Sequence, residues 1–137
     1  MSLSQEAKSR YYKGLLVLLR RDRIVHTREK SLMLQIGEIL GFEKRFCEAT
    51  IDELLSNPNI TRDPIPFSDQ IIKESFFRDA VRLALVDGNL HPSELRWLRK
   101  VAHFNGLKNR WLDAVILEIR GKNPAQDSAP FEIQKHL

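Results

Sequence analysis

The stretch V-D-G-N-L-H-P-S-E, residues 86–94, decides how the chain is read. From Asp87 it follows the second half of a calcium loop: an acid, a glycine, five residues and Glu94. A complete loop of that kind needs acids at the positions of Leu83 and Leu85. Calcium takes six to eight oxygens, and leucine offers none. A helix-to-helix junction explains the same residues. Gly88 suits a left-handed residue after a helix end, and Pro92 suits the first turn of the next helix. His91 then stands at the N-cap, since the residue before proline is biased out of helical geometry. Glu94 falls at N3, where its carboxylate reaches back to the N-cap N–H and meets the positive end of the helix dipole.

Helical periodicity extends outward from this junction. Residues 5–21, 27–40, 43–55, 69–87, 92–105 and 108–120 each carry apolar residues three and four apart. Tyr11, Tyr12, Leu15, Leu16 and Leu19 share one face, as do Phe46, Cys47, Thr50, Ile51 and Leu54. Ile72, Phe76, Ala80, Leu83 and Ala84 form the inward stripe of the fourth segment. Between the third and fourth lies S-N-P-N-I-T-R-D-P-I-P-F, whose prolines break helices and favour extended backbone; over 57–67 it is expected to be an exposed, fairly stiff segment that could serve protein interaction. Ser68 is the expected cap of the helix that follows. No segment reads as a strand, so the chain is expected to be all-α.

Shifted by 65 residues, the two halves align without a gap. Asp22 falls on Asp87, His26 on His91, Glu29 on Glu94 and Gly41 on Gly106. Nine identities occur over 45 pairs, against roughly three by chance. The expected architecture is a single helical domain over 1–121. It comprises two pseudo-repeated three-helix units, about 8–56 and 69–121, joined by a Pro-rich connection over 57–68. Each unit exposes an apolar face that the other can cover. Residues 122–137 form a C-terminal tail whose Phe131, Ile133 and Leu137 either fold back onto the body or dock on another chain.

The junction acids admit two readings. Asp87 and Asp22 lie at helix C-termini, the unfavourable end for an anion. The preferred reading is that each carboxylate accepts N–H groups of the following loop. The alternative is a divalent cation held by Asp22, Glu29, Asp87 and Glu94, with His26 or His91 nearby, if a pseudo-twofold brings the halves together.

These residues resemble the TerB-like domains, which include the tellurite-resistance protein TerB and the DjlA co-chaperone domain type. The shared signature is an acid and Gly, an aliphatic two residues on, a Glu, and a helix ending in G-[LF]. Asp87, Gly88, Leu90, Glu94, Gly106 and Leu107 match it. Asp22, Val25, Glu29, Gly41 and Phe42 match in the first half, where Arg23 replaces the glycine. The resemblance spans roughly residues 8–121. It implies two related helical halves, a stress-response role, and work as a binding or scaffolding module. It also implies metal binding through the acids, which carry over as Asp22, Glu29, Asp87 and Glu94.

Composition bounds the rest. A 137-residue chain with 42% hydrophobic and 29% charged residues is ordinary for one globular domain. A lone cysteine, Cys47, excludes an internal disulfide framework and falls on an apolar face, as core cysteines do. Neither an apolar run of membrane-spanning length nor a signal-peptide core is seen, so the expected compartment is the cytoplasm. Neither a Ser-His-Asp nor a Cys-His arrangement is readable from spacing, so a non-enzymatic protein-interaction module with an unnamed protein partner is expected. A net charge of +4 and the helical stripe Arg96, Arg99, Lys100 and His103 leave weak nucleic-acid binding as a second alternative, behind the cation.

Overall fold

A computed structural model of the chain describes residues 3–19, 27–56, 65–86, 89–124 and 129–137, with Leu54 and Leu55 described by their backbone. The chain is all-α. Among the described residues, six α-helices run over Gln5–Leu19 (α1), Thr27–Ile39 (α2), Lys44–Ser56 (α3), Gln70–Ala84 (α4), Pro92–Phe104 (α5) and Asn109–Gly121 (α6). A 3₁₀ turn, Glu132–His136, follows. Adding 65 to both bounds of α1, α2 and α3 gives the bounds of α4, α5 and α6. The fourth helix ends sooner than its apolar run suggests: Leu85, at ψ 2°, already leaves helical geometry.

Two helices organise the core. α1 packs against α2, α3, α4 and α5; α4 packs against α1, α5, α6 and the 3₁₀ turn. Leu15 to Leu19 are buried all round α1, as expected of a helix enclosed by others. Gly14 lets the pair approach. A Cβ there would lie 2.7 Å from the Phe76 ring, closer than side-chain carbons tolerate. Tyr11, Phe67, Phe76 and Phe77 form edge and tilted ring contacts around this crossing, a geometry that adds to simple area burial.

The G-[LF] dipeptides end α2 and α5 in the same way. Gly41 has φ 90° and Gly106 φ 77°, a region open to glycine but strained for other residues. Phe42 donates its N–H to Gly37 O at 2.8 Å and Gly41 to Glu38 O at 2.9 Å. Leu107 donates to Ala102 O at 2.8 Å and Gly106 to His103 O at 3.0 Å. Both are Schellman closures, which satisfy the last carbonyls and turn an apolar residue back onto the helix.

Three expectations are corrected. Asp69, not Ser68, caps α4, accepting the Ile72 N–H at 3.0 Å. Phe46 is 53% exposed rather than inward. It lies in the first turn of α3 and rests on Phe42, ring centroids 5.5 Å apart, while Cys47 and Ile51 turn inward. The Pro-rich connection is not exposed throughout. Residues 57–64 fall outside the described residues, but Phe67 is buried. Asn105 holds this end of the connection: its amide donates to Ile65 O and its carbonyl accepts the Phe67 N–H, both at 2.8 Å.

The tail folds back onto the body. Phe131 and Ile133 are buried in the same core as α1 and α4, whereas Leu137 stays half exposed.

Candidate functional site

The start of α5 takes the form its sequence implies, whereas Gly88, expected in a left-handed conformation, lies outside the described residues. His91 has φ −67° and ψ 145°, Pro92 follows in the first turn, and the His91 N–H donates to Glu94 Oε1 at 3.1 Å. Glu94 is 1% exposed, and its counterpart Glu29, in the first turn of α2, is 2% exposed. A buried carboxylate at a helix N-terminus is favoured by the unsatisfied N–H groups and the dipole there. Asp22, His26 and Asp87 lie outside the described residues. The described half of the acid set, Glu29 and Glu94, is thus placed as helix-terminal carboxylate.

The basic stripe of α5 is partly engaged. Arg99 pairs with Asp113 of α6 at 2.9 Å, tying the two helices on their outer side. Arg96, Lys100 and His103 are exposed. Cys47 is fully buried beneath Gly37 and near the Tyr12 hydroxyl. The Tyr12 hydroxyl donates to Met33 O at 3.0 Å. Burial first, and the neighbouring thiol second, push the Tyr12 phenol well up, so it remains a neutral donor.

Among the described residues, one buried acid is passed over by periodicity alone. Asp79 sits in the apolar stripe of α4, 1% exposed. Its Oδ2 accepts the Tyr11 hydroxyl at 2.7 Å and the Ile133 N–H at 3.1 Å, and its Oδ1 accepts the Glu132 N–H at 2.7 Å. One carboxylate therefore joins α1, α4 and the 3₁₀ turn. Burial raises its pKa from 3.8 to about 6, against the three donors that lower it. Burial and the adjacent Asp79 push the Tyr11 phenol far up. One turn along α4, the Arg82 guanidinium lies 4.2 Å from the Phe131 ring centroid and donates to Pro130 O at 3.3 Å. The available signal was an acid seven residues after Ile72, inside a stripe of apolar residues.

Among the described residues, no helix is long and apolar enough to cross a membrane. Comparison with family models, with curated proteins and with solved structures gives no match.

Proposed function

We propose that the chain is a non-enzymatic TerB-like module of two pseudo-repeated three-helix units that works by binding another protein. Support for the repeat comes from the constant 65-residue offset of the helix bounds, the paired left-handed Gly41 and Gly106, and the paired buried Glu29 and Glu94. The stress-response role rests on the resemblance to TerB-like domains. The observation that carries the interaction reading is Phe46. It is a half-exposed aromatic side chain packed at a tilt against Phe42, which is itself in edge contact with Tyr12 of the core. Aromatic residues, Phe among them, are enriched in the cores of protein interfaces.

The test is cross-linked capture from cells with wild-type and Phe46→Ser baits. A partner retained by the wild type and lost by a variant with the same melting temperature supports the reading. A partner set identical for both baits, or none, overturns the assignment of Phe46.

A further inference from the structure

We propose that the outer surface of the α5–α6 hairpin binds single-stranded nucleic acid, with a row of cations on the phosphates and Phe104 against a base. The charge of the chain is concentrated there. Of its 22 basic and 18 acidic residues, five basic and no acidic ones fall within residues 95–112. Outside that run, 17 basic residues face 18 acidic ones. The whole net charge of +4 therefore belongs to one hairpin, the footprint of a polyanion partner.

Four of the five cations are unengaged. Arg99 pairs with Asp113. Arg96, Lys100, Lys108 and Arg110 are exposed, and among the described residues none of them pairs with an acid. Arg96 and Lys100 lie one turn apart on α5. The Schellman closure at Gly106 then starts α6 beside the end of α5, bringing in Lys108 and Arg110. Those two stand at the positive end of the α6 dipole, where a cation is disfavoured. The first turn of α6 holds no acid, whereas α2 and α5 carry Glu29 and Glu94 there. An arriving phosphate relieves both the dipole and the repulsion among the cations.

Phe104 selects the kind of polyanion. It is 56% exposed at the end of α5, and its backbone is held in place by its neighbour. The Asn105 side chain bonds Ile65 O, Phe67 N–H and Val101 O at 2.8–2.9 Å, and Asn105 O accepts Lys73 Nζ at 2.8 Å. A fixed ring beside a row of cations is what stacking on an unpaired base requires. A duplex keeps its base faces covered. A lipid surface takes up a broader apolar face, and Phe104 is the one exposed large apolar residue of α5.

The test is fluorescence anisotropy of end-labelled oligothymidylate, about 12 nucleotides long, titrated with the full-length protein. The expected dissociation constant is roughly 100 µM or tighter at about 50 mM salt, with log K falling on log salt at a slope of roughly −3 for four cations. Lys100→Gln/Arg110→Gln should weaken binding at least tenfold and halve that slope. Phe104→Ser should weaken binding by about tenfold and leave the slope unchanged. Both variants alter exposed side chains, and their melting temperatures should match that of the wild type. Absence of binding at low salt, or a slope unchanged in the double variant, overturns the site. Full affinity in Phe104→Ser, or a duplex of the same length bound equally well, overturns the single-stranded class. Sedimentation with phosphatidylserine vesicles by a protein that leaves the oligonucleotide free makes the surface a lipid site and overturns the proposal.

Discussion

The Tyr11 hydroxyl donates to Asp79 Oδ2 at 2.7 Å, joining helices whose partner residues stand 68 apart in the chain. The same carboxylate holds the Glu132 and Ile133 N–H groups. The C-terminal segment is thereby fastened to the contact between the two central helices.

Removing either partner should loosen that contact by different amounts. Tyr11→Phe deletes one donor to a buried acid and should cost about 1.5–3 kcal/mol. Asp79→Ala orphans the hydroxyl and both N–H groups, and should cost more. Thermal unfolding gives the order. Hydrogen exchange at the amides of Glu132 and Ile133 separates the mechanisms: it should accelerate strongly in Asp79→Ala and less in Tyr11→Phe. Equal exchange in both variants would detach Asp79 from the tail.

Stability should depend on pH through Asp79. Its pKa rises from 3.8 to about 6 on folding, so the folded chain holds the proton more tightly than the unfolded chain. The resulting stabilisation is complete below about pH 4 and is lost as pH rises through 6. A shift of that size corresponds to roughly 3 kcal/mol. Urea unfolding of wild type and Asp79→Asn at pH 7 and pH 4.5 isolates the effect. The difference in stability between the two proteins should move in favour of wild type at the lower pH. A difference independent of pH would place the Asp79 pKa near its unfolded value.

Glycines at two neighbouring positions should fail for different reasons. At Gly37 a Cβ would collide with the Cys47 sulfur and lie 3.2 Å from the Tyr12 hydroxyl oxygen. Gly37→Ala should therefore cost about 1–3 kcal/mol through overpacking, and Cys47→Ala should recover part of it in a double-mutant cycle. At Gly41 the space is open, but φ is 90°. Gly41→Ala should cost about 1 kcal/mol through backbone strain, and Cys47→Ala should leave that cost unchanged.

The cation reading of Asp22, Glu29, Asp87 and Glu94 predicts a different result from the capping reading. Chelator-treated protein is titrated calorimetrically with calcium, magnesium, manganese and zinc. With the His91 N–H already on Glu94, the expected outcome is no stoichiometric heat, and an Asp22→Asn/Asp87→Asn variant that is merely less stable. Stoichiometric binding that the double variant abolishes would make the acids a metal site.

The helices and their turns were legible because each is encoded locally. Apolar spacing marks the faces, Gly41 and Gly106 mark the ends, and Pro92 with Glu94 marks a start. Asp79 was not legible in the same way. Its partners lie at Tyr11, Glu132 and Ile133, far along the chain in both directions, and no local period announces them. Phe46 misled for a related reason. Its spacing matches Cys47 and Ile51, but the inner surface is already occupied by Phe42, which covers Tyr12. The tail's Phe131 and Ile133 were visible as apolar residues, but only tertiary packing decides between folding back and docking elsewhere.

The α1–α4 crossing also carries a consequence for the order of folding. The α2–α3 and α5–α6 hairpins close through loops of a few residues, and such closures are fast. The α1–α4 contact must bring Tyr11 to Asp79 across most of the chain, and loop entropy is spent before that contact returns anything. The hairpins are therefore expected to form early and to wait for the crossing. The C-terminal segment sits on α4, on the carboxylate that Tyr11 also holds, so its docking is expected to tighten when α1 meets α4 and its release to accompany the parting of that pair.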